Sequence, residues 1–449
     1  MISRRIAAAG LLWTALFVGH AAKAFPVDGD QTTLPPRTEL NEDALDKPRE
    51  VFRSETAGGK SYLISLGNLA FSSPSILGGV ARQAGISCGT CHVNGASNAQ
   101  FYIPGLSTRH GNFDTTSRVF NPKTDDSVLD PLTIPSLRGA HLLAPYGHDG
   151  RSSSLRDFVR NVIVNEFSGP EPSTQVLDAL VAYVEDIDFV PNPRLGAGGR
   201  LAGSVTRQEK HGEAVFNHSC ASCHQPADAF VDHRQHDVGS GGLFKTPTLR
   251  NANFNAPYFH DGRFDTYEQV VEHFNRTLAL GLSARERRDL IAYLKAIGDG
   301  ERAVTADDVP TRIKECTDFA TVLDTAIPQH DAAAATLVLD TLDREWRELT
   351  EKFPEPKDTS VSGGLEQRSK ARMAAKAMVL ALREVGQAVG EGKFDEAAAG
   401  LNRYRERMPA TVVAMEAAKP WSLFNESLHD RHFAAMRNLL DAAGTAGTN

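Results

Sequence analysis

The sequence predicts a mainly α protein, two tandem modules followed by an α-helical bundle domain, and three observations predict it. A Cys-x-x-Cys-His unit occurs twice, as Cys88-Gly-Thr-Cys91-His92 and as Cys220-Ala-Ser-Cys223-His224. The seventeen residues 135–151 recur at 247–263 with eleven positions identical. Beyond about Thr305 the composition turns to Ala, Glu, Arg and Leu, with breaks near Phe353-Pro-Glu-Pro356 and at 360–364. The expected division is 1–24, 25–195, 196–302 and 303–449.

Segment 1–24 reads as a cleaved export signal. Arg4 and Arg5 give a positive start, Ile6 to Val18 is a short apolar run, and Ala22-Lys23-Ala24 offers small residues for cleavage before Phe25. The run is shorter than the ~20 apolar residues that span a bilayer, and no later stretch reaches that length. The expected compartment is the periplasm, with no membrane span in the mature chain. Cleavage removes three cations, so the formal charge moves from -8 to -11. That balance argues against nucleic acid, which needs a basic footprint, and suits a basic protein partner.

Four of the five cysteines lie in the two Cys-x-x-Cys-His units, and Cys316 is left over. Thiols three residues apart can both form thioethers to the vinyl groups of one haem, and the next histidine then reaches the iron as proximal ligand. A redox dithiol, a zinc site or disulfides would also use paired cysteines. Two copies behind an export signal favour haem, which is attached to such motifs outside the cytoplasm. The chain therefore reads as two tandem cytochrome c-like haem modules carrying two covalently bound haem c groups.

Each module is expected to open with a helix leading into its cysteine motif, about Arg207 to Asn217 in the second copy. A loop rich in Gly, Pro and Asn comes next. After His260-Asp-Gly-Arg263, the residues Tyr267, Val270, Val271 and Phe274 fall at helical spacing. Amphipathic helices at Thr174 to Ile187 and Ser283 to Ile297 close the two modules, the second with Ser283 and Glu286 as a capping box. Pro191-Asn-Pro193 and the glycine-rich 196–203 form the linker.

A duplicated haem module with Thr246-Pro-Thr-Leu-Arg-Asn251 and Ala256-Pro-Tyr-Phe-His-Asp-Gly-Arg263 resembles the bacterial di-haem cytochrome c peroxidase and MauG-like family. Leu66-Gly-Asn-Leu-Ala-Phe71 ahead of Gly85-Ile-Ser-Cys88 is similar to that family's opening. The resemblance covers about Leu66 to Gly298 and leaves the C-terminal region uncovered. It implies His92 and His224 as proximal iron ligands. One haem, usually the N-terminal one, would take hydrogen peroxide, and the other would pass electrons from a donor such as a small cytochrome c. It also implies a calcium ion between the modules, with Asn255 and the carbonyl of Pro257 as second-module ligands.

The sequence departs from that pattern in several places. Its methionines are 1, 373, 378, 408, 415 and 436, so neither module contains one and His/Met ligation would need a methionine from the bundle. The family's axial Met or Tyr aligns with Phe274, so that iron is either open or served by His273, His233 or His236. The tryptophan expected between the haems is replaced by His148. His148 and His260 are candidates to bond haem propionates or to frame the turn. A family Gln aligns with Phe158, and the nearest carboxylate to the catalytic Glu position is Glu166, with Glu171 behind it. Peroxide cleavage needs a group that moves a proton between the two oxygens, which suits Glu166. His110 lies in the loop where the family places a displaceable distal histidine.

Two readings remain. One is an oxidoreductase that reduces peroxide or uses it to oxidise a partner, with Glu166 and His110 as its catalytic residues. The other is a di-haem electron-transfer protein without turnover, favoured by the missing Met, Trp and Gln.

Overall fold

The computed structural model describes residues 34–40, 48–57, 59–303, 307–355, 358, 361–425, 427–429 and 431–432. The predicted export signal and its cleavage site lie outside them. The described chain is mainly helical, as expected. Among its residues strand is confined to two antiparallel pairs of two residues each, β1 (Asn112–Phe113) with β2 (Leu132–Thr133) and β3 (Gln235–His236) with β4 (Phe244–Lys245).

The first repeat contains α1 (Tyr62–Ser72), α2 (Gly79–Gln83), the one-turn α3 (Cys88–Cys91), α4 (Leu155–Asn161) and α5 (Thr174–Asp186). The second contains α6 (Arg207–Ser219), α7 (Tyr267–Thr277) and α8 (Ala284–Ile297). Polar caps explain where these helices start. Thr206 with Glu209, Thr266 with Gln269 and Ser283 with Glu286 each form a capping box, satisfying N–H groups that a helix start leaves orphaned. The Ser283–Glu286 box and the extents of α7 and α8 match the sequence reading.

In each repeat the opening helix crosses the closing helix at a glycine. A Cβ on Gly67 of α1 would overlap the Ala179 carbonyl, and one on Gly212 of α6 would overlap the Asp289 carbonyl. The aromatic neighbours also correspond: Tyr183 stands beside Gly67 and Tyr293 beside Gly212. The repeats differ between the opening helix and the cysteine motif. Helix α6 runs directly into Cys220, as expected. Helix α1 stops at Ser72, because Ser73 caps the next turn and Pro74 cannot donate to a continued helix. Segment 73–87, including α2, then intervenes before Cys88, so the expected helix leading straight into the first motif is not observed.

The seventeen-residue segments take the same local form. Short 3₁₀ turns sit at Ala140–Leu142 and Ala252–Phe254, each after a residue with positive φ, and isolated bridges pair Tyr146 with Ser152 and Tyr258 with Phe264. They also meet each other reciprocally. The Thr133 N–H donates to the His260 carbonyl at 2.7 Å, and the Lys245 N–H donates to the His148 carbonyl at 2.9 Å. Asn112 Nδ2 donates to the Asp261 carbonyl at 2.9 Å, and Gln235 Nε2 donates to that of Asp149. Each strand pair thus holds the opposite repeat's His-Asp-Gly-Arg turn, about a local two-fold seam.

The C-terminal region forms α9 (Val309–Thr321), α10 (Leu323–Ala326), α11 (Ala332–Glu351), α12 (Leu365–Gly390) and α13 (Phe394–Ala418). The interruption between α11 and α12 falls where the sequence placed its breaks, whereas those at 327–331 and 391–393 lie outside the expected breaks. Arg368 and Arg372 donate to the carbonyls of Thr350, Phe353, Pro354 and Glu355, capping the end of α11. Trp346 is fully buried and donates Nε1–H to the Tyr404 hydroxyl at 2.9 Å. The bundle does not stand apart: Leu66, Leu69 and Ala179 of the first repeat belong to its hydrophobic cluster. Cys316 is buried inside it.

Asp307 clamps the start of the bundle, with Oδ1 at 2.8 Å from Arg312 Nε and Oδ2 at 2.7 Å from Lys352 Nζ. Burial alone would raise its pKa, but the two cations hold it down to about 2. A depressed carboxyl contributes stability above its unfolded pKa of ~3.9, lost as pH falls through the folded value. Asp307→Asn should therefore flatten urea stability against pH between about 4 and 2 and lower it by ~1–3 kcal/mol at neutral pH. A second expectation concerns the helix crossing. Gly→Ala inside a helix ordinarily stabilises by up to ~1 kcal/mol. At Gly212 the sign should reverse, to a loss of ~1–3 kcal/mol from overpacking, readable by urea denaturation.

Candidate functional site

All four cysteines of the repeated motif are free of disulfides. The first pair lies on α3, whose start is set by Ser87 and Thr90: the Ser87 N–H donates to Thr90 Oγ1 at 3.0 Å, and the Thr90 N–H donates to Ser87 Oγ at 3.3 Å. Burial pushes the Cys88 thiol up to about 12 and the Cys220 thiol up to about 11. That is opposite to the lowered thiol pKa of redox dithiols.

The adjacent histidines are oriented as metal ligands. His92 Nδ1 lies 2.9 Å from the Pro135 carbonyl, and His224 Nδ1 lies 3.1 Å from that of Phe230, with the Pro247 carbonyl also bonding its ring. Pro135 and Pro247 are the first residues of the two seventeen-residue segments. Donation from Nδ1–H to a carbonyl leaves the Nε2 lone pair for a metal. Burial keeps both rings neutral, pushing His92 down to about 4 and lowering His224. Paired thiols beside a neutral, oriented imidazole fit haem in both motifs.

Glu166 ends a π-helical turn, Val162–Glu166, that continues α4. Its Oε1 is 2.7 Å from Arg151 Nη2, and the Arg151 guanidinium lies 5.0 Å over the Phe158 ring. Burial raises the Glu166 pKa, Arg151 opposes that, and the Thr115 hydroxyl adds a hydrogen bond. The fold thus gathers Arg151, Phe158 and Glu166 into one cluster. Glu171 goes elsewhere: exposed, it pairs with Arg160, which lowers its pKa. His110 is also apart. Its Nε2 is 3.1 Å from Glu39 Oε2, and its ring stacks on Tyr102 at 4.9 Å.

The other candidate ligand histidines are engaged by protein groups. His233 has Nδ1 at 2.6 Å from the Ala144 carbonyl and Nε2 at 2.9 Å from Asp228. His236 has Nε2 at 2.7 Å from Asp232, and His273 has Nε2 at 2.7 Å from the Val238 carbonyl, among the rings of Phe259, Phe264 and Phe274. One ligand atom each from Cys223, Asp232 and His236 lie within 4.8 Å of one another, but Cys223 belongs to the repeated Cys-x-x-Cys-His motif and the other two bond each other. His148 Nε2 donates to the Thr133 carbonyl at 2.7 Å, and burial pushes its pKa down to about 4. His260 stacks on Phe244 at 3.7 Å. Of the bundle methionines, Met378 and Met415 are fully buried in its core, Met408 packs against that core, and Met373 is exposed on α12.

Asn255 Oδ1 is buried without a hydrogen-bond partner among the described residues. That orphaned acceptor fits an oxygen-ligated cation at the Asn255–Pro257 turn. The sequence reading passed over Arg151 and the proline carbonyls. Arg151 closes the first copy of the repeat and Pro135 opens it, so the repeat boundaries were the available signal.

Residues 215–335 match a family model described as di-haem cytochrome c peroxidase. The chain is 24% identical over 323 residues to the hydrazine synthase subunit gamma of Kuenenia stuttgartiensis, covering 57% of this chain and 83% of that protein. It is 28% identical over 182 residues to the methylamine utilization protein MauG of Methylorubrum extorquens, covering 32% of this chain and 51% of the relative, about half its length. With the cytochrome c551 peroxidase of Nitrosomonas europaea the identity is 21% over 288 residues, 52% of this chain and 79% of that protein. With its paired thiols and carbonyl-oriented imidazoles, the chain is similar to the di-haem cytochrome c peroxidases and MauG proteins.

Proposed function

We propose that this chain is a periplasmic di-haem c-type cytochrome that reduces hydrogen peroxide with electrons from a donor cytochrome, or uses peroxide to oxidise a partner. The observation that carries the reading is the Glu166 carboxyl, raised by burial and held by Arg151, in the same repeat as His92. Bound through Cys88, Cys91 and His92, haem supplies an iron at which a peroxide O–O bond can break. Glu166 takes a proton from one peroxide oxygen and delivers it to the other, and burial raises its pKa so that it holds a proton more readily than an exposed carboxyl. Arg151 fixes the carboxyl's direction. Neutral His92 and His224, oriented by carbonyls, are the proximal ligands, and Cys220 and Cys223 hold the haem through which electrons enter.

His110 would join the pocket only by leaving Glu39, consistent with a displaceable group. His273 can serve as a distal ligand only through Nδ1 or after releasing Val238. Asn255 Oδ1 and the Pro257 carbonyl support a calcium site. The net negative charge suits a basic donor such as a small cytochrome c. The pattern of Arg4, Arg5 and Ala22-Lys23-Ala24 supports export. The aromatic rings of Phe158 and Phe274, where the family places a Gln and an axial Met or Tyr, favour the second reading, a di-haem electron carrier without peroxidase turnover.

Three outcomes are expected. The pyridine haemochrome assay should give two haems per chain, and Cys220→Ser with Cys223→Ser should leave one. Adding one electron per molecule should produce a high-spin ferric EPR signal beside a reduced haem; two low-spin irons throughout would favour the electron carrier. Glu166→Gln should cut peroxide turnover by ~10²–10⁴-fold with haem content unchanged. It should also remove an acid limb of the rate profile, expected because a base must be deprotonated to act and displaced upward from the ordinary carboxyl value by burial of Glu166.

A further inference from the structure

Lys245 carries an inference that rests on the haem reading above. It is the seam counterpart of Thr133, and both side chains reach across to the opposite repeat. Thr133 Oγ1 donates to the carbonyls of Phe259 and His260, at 3.1 and 3.2 Å. Lys245 Nζ donates to the carbonyls of Leu143 and Pro145, at 2.8 and 2.7 Å. The backbone bonds of the two positions correspond, but the longer Lys245 side chain reaches two different carbonyls, and one position is neutral where the other is cationic.

The ammonium at this place lacks an anion. Its two hydrogen-bond partners are neutral carbonyls and the Tyr146 ring lies 5.9 Å away, and burial alone pushes its pKa down to about 8, with no carboxylate of the described residues opposing the shift. The neighbouring His148 is neutral and supplies no negative charge. A desolvated cation without a counter-charge is costly, and an ammonium has three donors, of which two are used. The backbone of Lys245 is tied to both proposed haem sites: its N–H bonds the His148 carbonyl, and two residues on lies Pro247, whose carbonyl bonds the His224 ring.

We propose that Lys245 is a cofactor-binding residue whose remaining N–H pairs with a haem propionate carboxylate at the seam, giving one of the two haems a counter-charge that Thr133 does not supply to the other. Reduction adds negative charge to a haem, so a fixed cation beside it stabilises the reduced form. Lys245 therefore raises the potential of the haem it pairs with and separates the two potentials in a protein without a methionine ligand in either module.

The test uses the full-length, haem-loaded protein, with potentiometric titration to resolve the two haems and resonance Raman spectroscopy of the propionate bending bands. Lys245→Gln keeps an amide donor for the Leu143 and Pro145 carbonyls and removes the charge; Lys245→Arg keeps the charge. In Lys245→Gln one potential should fall while the other holds, and one propionate band should shift. In Lys245→Arg both readouts should stay near those of the unsubstituted protein. The haem whose potential moves is the owner of the propionate. Unchanged potentials and bands in a Lys245→Gln protein that carries two haems would overturn the proposal and leave the di-haem reading standing. Absence of covalent haem from the unsubstituted protein would instead overturn that reading, and this inference with it. Should Lys245→Gln not fold, the unsubstituted protein still decides: propionate bands without a hydrogen-bonding shift would sink the proposal.

Discussion

The reciprocal backbone bonds across the seam are the constraint on which the rest of the haem-binding half depends. Thr133 to His260 and Lys245 to His148 are main-chain hydrogen bonds, so they survive changes of side chain. The amides of Asn112 and Gln235 reinforce them with equivalent donors of different length. Because each turn is held by the other repeat's strand pair, neither repeat can rotate without breaking both sets. The residues free to diverge are those whose side chains project from this frame. Among the positions at which the two repeats differ are Thr133 against Lys245 and Gly147 against Phe259.

Much of the fold was legible because its signals are local. Ser283 with Glu286 announces a helix start, and the structure forms that box. The breaks before α12 arise from proline and glycine, which need no tertiary partner to act. The sequence misled at α1, where repeat symmetry suggested a helix running into Cys88. Ser73 and Pro74 end that helix, and segment 73–87 has no counterpart ahead of Cys220. Symmetry at Gly67 and Gly212 was also hidden. A glycine inside a helix reads as a weak helix former until the opposing carbonyl is seen.

The candidate site was more legible in its cysteine motifs than in its pocket. Cys-x-x-Cys-His states its chemistry through spacing alone. By contrast, the partner of Glu166 is Arg151, fifteen positions earlier on another element, and no periodicity links them. The carbonyls that orient His92 and His224 are backbone atoms, invisible to residue type. His233, His236 and His273 looked alike as candidates, and only their hydrogen-bond partners tell them apart.

The way the bundle sits on one repeat gives the molecule a mechanical asymmetry. Leu66 and Leu69 on α1 and Ala179 on α5 are shared with the bundle core, whereas the hydrophobic cluster of the second repeat contains no bundle residue. The first repeat is thus a stator, braced from behind by the helices of the bundle. The second is carried by the seam, by the linker at 191–203 and by side-chain ties such as Arg109 with Asp265 and Asn251 with the Val190 backbone. A change in the bundle core therefore bears directly on the first repeat and reaches the Cys220–His224 side through these ties.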